Sequence, residues 1–314
     1  MLNLSEVDKA EVTVIMDNYA DWILENTKYV QRAVDWKNGK ELKVPLMAEH
    51  SLCLLISIYK NNEKHNILLD AAENGVSLKN NIDILEIDLK TVGSLILSHA
   101  HSDHTHGLNW VISQLDSSAN VIAHPDVFLS GRTFVDNKNT IINDCPSRGN
   151  IINHGNPIIE SLEPYTPENG LFAVTGQIPR TTDFEILNYE SYVMRNGVKE
   201  FDKILDDQAI VLNIKNKGLL VISGCAHAGI INTINYAQKI TGVKKLFGVI
   251  GGFHLPPKFN SDVTEKTITA LKKMNPDIIV PMHCTGIYAI SRFIQEFKDN
   301  CNLSCVGSKF TFSS

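Results

Sequence analysis

Residues 99–107 read His-Ala-His-Ser-Asp-His-Thr-His-Gly, so four imidazoles and one carboxylate fall within nine positions. Imidazole nitrogen and carboxylate oxygen are donors that bind zinc, and they also suit iron and manganese. The run directly follows the strand-like segment SLILS, Ser94 to Ser98. Side chains of an extended backbone repeat every second residue, so His99 and His101 face the same way. Asp103 and His104 then turn toward an adjacent position. A polar surface turn or a histidine-rich tract is the plain alternative. The strand-end placement and the partners downstream speak against it.

Those partners are Gly224-Cys225-Ala226-His227-Ala228-Gly229, Gly251-Gly252-Phe253-His254 and Pro281-Met282-His283-Cys284-Thr285-Gly286. Each follows a short apolar run (LLVIS, LFGVI, IIV) and precedes a stretch with helical spacing. Each histidine therefore falls at the carboxyl end of a strand, where open α/β sheets gather their ligands.

The elements that must position these residues are legible as apolar runs bounded by turn residues. Strands are expected at Val12–Met16, Leu52–Tyr59, Ile67–Leu69, Ser94–Leu97, Val121–Ala123, Ala209–Ile214, Leu219–Ile222, Leu246–Ile250, Ile278–Val280 and Ser304–Phe310. Helical spacing marks Ile230–Ile240, Val263–Met274 and Ile287–Phe297. Strand and helix alternate most clearly in the C-terminal third, while consecutive strands dominate earlier. This mixture fits an α/β protein of two sheets packed face to face with helices outside. No linker-like stretch divides the chain, so residues 1–314 are expected to form one domain. Residues 131–207 are less regular and carry turn signals such as CPSRGN and TPENG. They read as an insertion near the active site.

Bulk properties narrow the function classes. Of 314 residues, 43% are hydrophobic and 20% charged, an ordinary globular profile. Net charge is −6 with a pI near 6.0 and no long basic run, which leaves no electrostatic footprint for nucleic acid. The N-terminus lacks the basic start and apolar stretch of a secretory signal, and no segment approaches the ~18 apolar residues of a membrane helix. A soluble cytoplasmic protein with a small-molecule substrate is expected, with a homo-oligomer left open. Six cysteines in a chain of this size without an export signal are expected as thiols.

With His99, His101, Asp103 and His104 matching an HxHxDH signature, the chain resembles the metallo-β-lactamase superfamily. The resemblance implies a four-layer αββα sandwich holding two divalent metal ions, foremost zinc, with iron or manganese as alternatives. By that resemblance His99 and His101 bind the first ion, Asp103 and His104 the second, and His283 completes the second site. Two departures stand out. The usual ligand histidine ahead of the strand that ends in a bridging Asp is missing, and that strand ends here in Gly224-Cys225. His227, just beyond, is assigned as the missing first-metal ligand. Cys225 takes the place of the bridging carboxylate, either as a ligand or as a thiol that only packs. His106 stands where the superfamily often has glycine, and would line the substrate pocket or cap the following helix.

Further motifs are Ala48-Glu49-His50-Ser51, TGQIPR from Thr175 to Arg180, and Asp207-Gln208-Ala209. With the three histidine motifs above, they resemble a branch typified by archaeal 7,8-dihydropterin-6-methyl-4-(β-D-ribofuranosyl)aminobenzene-5′-phosphate synthase and its bacterial relatives. The resemblance implies a phosphoester or diphosphate on a pterin-like or nucleotide-like small molecule. Arg180 would then bind phosphate through its planar fork, unless Asp183 or Glu185 holds it at the surface. His254 would touch substrate or move a proton, with His50 and Glu49 as weaker substrate-side residues. Asp70, closing the strand ILLD, would orient a metal-binding histidine. His65, His124 and His154 are expected to face solvent.

The implied activity is hydrolysis by a metal-activated hydroxide, with Asp103 accepting its proton and His254 protonating the leaving oxygen. Alternatives are the synthase reaction, in which the metals stabilise a departing diphosphate, and thioester or lactone hydrolysis. A mononuclear iron dioxygenase would leave the second site unused. Diiron oxidoreductases of this fold generally carry Glu in place of His101 and a flavin domain that is missing here. A binding protein without catalysis would not need the full ligand set.

Overall fold

The computed structural model describes residues 1–33, 45–136, 139–167, 169–186, 190–255 and 261–313. Because a strand turns successive side chains to opposite faces, each long strand feeds two cores. In Cys53–Lys60, Leu54, Ile56 and Ile58 join one core while Cys53 and Leu55 join a second. In Gly218–Ser223, Leu220 and Ile222 enter the first core while Leu219 and Val221 enter a third. Burial on both faces is why these segments read as unbroken apolar runs.

The first core lies between two sheets. The second is closed by helices Gly75–Leu85 and Leu108–Gln114, and the third by Ile230–Thr241, Ser261–Met274 and Ile287–Phe297. The layers are helix, sheet, sheet, helix, the αββα sandwich that the sequence implied. No helix among the described residues is long and apolar enough to cross a membrane.

One sheet runs Ile158–Glu160, Asn120–Ala123, Val92–Ile96, Glu63–Leu69, Cys53–Lys60, Lys9–Met16, Lys309–Ser313 and Val30–Gln31. The other runs Glu6–Val7, Ala209–Ile214, Gly218–Ser223, Leu246–Gly252 and Ile278–Met282, with Ala173–Val174 also beside Ala209–Ile214. Each sheet contains a parallel half: Glu63–Leu69, Val92–Ile96 and Asn120–Ala123 in the first, and Gly218–Ser223, Leu246–Gly252 and Ile278–Met282 in the second. Parallel strands deliver their carboxyl ends to one edge, and the histidine motifs follow those ends.

Two expectations change. The last strand is Lys309–Ser313 rather than Ser304–Phe310. Residues 305–308 instead make a turn in which Ser308 N–H donates to Cys305 O, with Gly307 at a left-handed φ of 82°. The segment 131–207 is more ordered than its turn signals suggested. Ile158–Glu160 and Ala173–Val174 belong to the two main sheets. Its remaining strands, Val198–Phe201, Glu190–Arg195, Arg132–Asp136 and Asn139–Asn143, form a small antiparallel sheet. Residues 137–138, 168 and 187–189 of this segment lie outside the described residues.

A buried ion network ties the small sheet to the sandwich. The Arg132 guanidinium donates to both Asp206 oxygens at 2.8 Å, and its Nε lies 2.9 Å from Asp202. Asp206 also accepts the Ala100 N–H at 2.8 Å, within the histidine loop itself. Arg132 is 1% exposed and Asp206 fully buried. Removing one partner of such a pair strands the other charge in a medium that solvates it poorly. Arg132→Ala is therefore expected to lower stability by about 3–5 kcal/mol, measured by urea unfolding. A change below about 1 kcal/mol would show that the network is not a clamp.

Candidate metal centre

The histidine loop leaves Val92–Ile96 and is held from several directions. Asn143 accepts the Ser102 N–H at 2.7 Å and donates to Ala100 O at 2.6 Å. A short helix, Ser102–Thr105, then swings Asp103 and His104 toward the sheets. Phe134 of the small sheet stands edge-on to the His101 ring, centroids 4.5 Å apart.

Asp70 controls which nitrogens point inward. Its Oδ1 accepts the Ser98 N–H and its Oδ2 the Ser98 hydroxyl, both at 2.7 Å. With its proton committed to Asp70, the Ser98 hydroxyl can only accept from His99 Nδ1, 2.9 Å away. His104 Nδ1 lies 2.6 Å from the same Asp70 carboxylate and donates to it. Both histidines thus carry their proton on Nδ1 and present a bare Nε2. His283 is set the same way from another direction, its Nδ1 donating to Asn18 Oδ1 at 3.1 Å. Asp17 fixes the His283 backbone by accepting its N–H at 3.1 Å.

These bare nitrogens converge. His104 Nε2 lies 3.1 Å from His283 Nε2 and 3.2 Å from Cys225 Sγ, and His283 Nε2 is 3.1 Å from Asp103 Oδ2. His99 Nε2 lies 3.1 Å from His227 Nε2. Two donor groups result, Asp103/His104/Cys225/His283 and His99/Cys225/His227, each with all its donor atoms within 4.8 Å of one another. Ligands of one tetrahedral ion at ordinary Zn–N and Zn–S lengths stand about 3.3–3.6 Å apart. The observed spacings are close to that. Lone pairs facing each other at 3.1 Å repel unless a positive charge lies between them, so the donor set fits cations.

The electrostatics agree. Burial alone would lower His104, but the Asp103 and Asp70 carboxylates outweigh it and take it up to about 9. The field that would keep a second proton there also favours a metal ion. Burial pushes His101 down to about 3 and drives His99 and His227 well below the usual histidine value. Burial would raise Asp103, yet its histidine neighbours, His104 first, hold it below the carboxylate range. Neutral imidazoles and an ionised carboxylate are the forms that bind metals.

His101 stands beside the His99/Cys225/His227 group, its ring 4.3 Å from His99 and 4.6 Å from His227, with Nε2 buried and without a hydrogen-bond partner among the described residues. The His254 ring lies 4.2 Å from His227, and a further donor group joins His254 to Cys225 and Cys284. Arg180 donates to His227 O at 3.3 Å, while its Nε is buried without a partner among the described residues. It is not tied to Glu185, which instead caps helix Ile230–Thr241 by accepting the Ile231 and Asn232 N–H groups. His50 stacks on His283 at 4.9 Å and is 69% exposed, at the rim.

Three residues fall elsewhere. His106 points to Glu73, 2.9 Å away at the surface, and gives no side-chain cap to the helix that follows. Glu49 binds Ser51, Asn74 N–H and Ser77, bracing the start of helix Gly75–Leu85. His124, expected in solvent, is fully buried and accepts the Asp126 N–H at 3.1 Å, capping the short 3-10 turn Pro125–Phe128. His65 is partly exposed and His154 exposed.

Sequence reading missed Asp17, Asn18, Ser98, Phe134, Asn143 and the Arg132–Asp206 pair. The one available signal was a polar pair, Asp17-Asn18, closing the apolar strand Lys9–Met16.

The model of the metallo-β-lactamase superfamily matches residues 48–177. The chain is 33% identical over 251 residues to an uncharacterised protein of Methanocaldococcus jannaschii, covering 79% of this chain and 88% of that one. The chain belongs to the metallo-β-lactamase superfamily. It is also 29% identical to the 7,8-dihydropterin-6-methyl-4-(β-D-ribofuranosyl)-aminobenzene-5′-phosphate synthase of the same archaeon, over 96% of each chain. Among solved structures it is similar to Tm1679, a metal-dependent hydrolase of the β-lactamase superfamily, with a TM-score of 0.73 and 23% identity over 97% of this chain and 100% of that one.

The chain turns sharply at the strand ends. Asp70, Ala72, Ala226, His254 and His283 all sit at left-handed φ between 45° and 61°. Such strain persists where the surroundings over-determine it, commonly around functional sites. Gly224 is required by close approach, since a Cβ there would meet Ser98 Oγ at 2.2 Å. Asp70→Ala should free the tautomers of His99 and His104 together and weaken metal binding by roughly 10- to 100-fold. Chelator competition measures this, and unchanged affinity would refute the relay.

Proposed function

We propose that this protein is a two-metal enzyme that cleaves a phosphoester or diphosphate bond of a small molecule. The observation that carries this reading is the meeting of two donor groups at one sulfur, Cys225 Sγ. In this reading His99, His101 and His227 hold one divalent ion, and Asp103, His104 and His283 hold the other. Bound ions of this kind supply hydroxide at neutral pH and positive charge for the leaving oxygen.

The protein's own groups do the rest. Asp103 Oδ2, held 3.1 Å from His283, is placed to take the proton of the attacking water. His254 protonates the leaving oxygen, its ring fixed beside His227 by the strained turn that follows Leu246–Gly252. Arg180 has an unspent buried Nε–H next to the His99/Cys225/His227 group, and a phosphate oxygen is the acceptor that suits it. Phe134 packs edge-on against the His101 ring on that side. His50, at the rim, meets the substrate as it enters, and His106 reaches substrate only by leaving Glu73.

A second reading is favoured by the 29% identity across 96% of the synthase chain. There the same residues would stabilise a diphosphate leaving the pterin methylene carbon, whose C–O bond breaks as the aminobenzene ribofuranosyl phosphate attacks that carbon. Elemental analysis together with assays on phosphodiesters, diphosphates, thioesters and the two synthase half-substrates separates the readings. Phosphate release with water as the sole acceptor supports hydrolysis. Diphosphate release that depends on the aminobenzene partner supports the synthase reading.

His101→Ala or His283→Ala is expected to reduce turnover to background while circular dichroism remains native. Unchanged rates in metal-analysed protein would refute the assignment. Arg180→Ala should raise KM for phosphorylated substrates by about 10- to 100-fold, the worth of a hydrogen bond to a charged group. An equal loss on neutral esters would remove its phosphate role.

A further inference from the structure

We propose that the Cys225 sulfur is the shared ligand of the two ions, a thiolate bridge where the superfamily pattern has a carboxylate. The centre is thereby matched to thiophilic divalent ions such as zinc, iron or cobalt rather than to magnesium or manganese. This rests on the two-metal reading above and adds to it the identity of the bridge.

Four observations support it. Cys225 Sγ is the one atom common to both histidine-rich donor groups among the described residues, and it stands 3.2 Å from His104 Nε2. Cys225 is 2% exposed yet belongs to none of the apolar clusters, whereas the buried Cys53 packs in one and donates to Asp70 O at 3.3 Å. A thiol kept for packing would be expected to look like Cys53. The backbone around Cys225 is also tightly held, because Gly224 abuts Ser98 and a Cβ at Gly252 would come within 3.3 Å of Cys225 Cα. The neighbouring Cys284 spends its S–H on the Cys225 carbonyl at 3.4 Å.

Binding breaks the Cys225 S–H bond, releases that proton to solvent and forms sulfur–metal bonds to both ions. No electron changes hands. Thiolate prefers the softer first-row ions, whereas magnesium, calcium and manganese prefer oxygen.

The test uses the full-length protein, stripped with chelator and titrated with cobalt(II) alone. Cobalt per chain is counted by elemental analysis, and the near-ultraviolet sulfur-to-cobalt charge-transfer band is recorded. Two cobalt ions per chain are expected, with the band growing through both equivalents. The band should be lost in Cys225→Ser, retained in Cys284→Ser, and unaffected by excess magnesium. Two bound ions without the band would overturn the bridge and leave the two-metal reading intact. So would a band complete at the first equivalent, or one lost in Cys284→Ser and kept in Cys225→Ser. Displacement of cobalt by magnesium would overturn the stated preference. Folded wild-type protein that takes up no cobalt would overturn the two-metal reading itself.

Discussion

The site depends on one buried carboxylate. A histidine donates a lone pair from the ring nitrogen that carries no proton, so a cluster of imidazoles becomes useful only when every ring is turned and protonated in the same sense. Asp70 does this for His104 directly and for His99 through the Ser98 hydroxyl. One negative charge thus sets a nitrogen in each donor group. Asn18 does the equivalent for His283, and Asp17 holds its backbone, both following strand Lys9–Met16 of the sheet that also carries Asp70.

The architecture brings these orienting groups within reach. Parallel strands in both sheets end at one edge, and the loops leaving them turn at once through left-handed backbone at Asp70, Ala226, His254 and His283. Residues with a Cβ resist that conformation, so each turn is held by contacts elsewhere. Asp207 illustrates one such hold, accepting the Ala228 N–H at 2.8 Å just past His227. The Arg132–Asp206 pair supplies another, joining the small sheet to Ala100 within the histidine loop. The small sheet and the histidine loop therefore share a common anchor.

Much of the layered fold was legible because strands buried on both faces leave unbroken apolar runs, and the three C-terminal helices show regular spacing. The histidines were legible because chemistry concentrates them in short motifs. The groups that orient them were less so. Ser98, Asn18 and Asn143 are single polar residues whose partners lie far along the chain, and no periodicity marks such contacts. His124 looked solvent-facing because its neighbours in sequence are polar or loop-like, while it is buried at the start of a 3-10 turn. The small sheet was hidden because its first two strands, Arg132–Asp136 and Asn139–Asn143, are separated from the other two, Glu190–Arg195 and Val198–Phe201, by segments that pair with the main sheets.

The C-terminal strand Lys309–Ser313 lies between two N-terminal ones, Lys9–Met16 and Val30–Gln31. His283 is likewise oriented by residues 17 and 18. During synthesis the first strands must therefore wait, unpaired along one edge, until Lys309–Ser313 has left the ribosome. Contacts this distant in sequence form slowly, and exposed strand edges invite association in the interval. A chain cut before His283 and Lys309–Ser313 would leave Lys9–Met16 unpaired along that edge and the donor groups incomplete, and an open strand edge of this kind invites pairing with another chain.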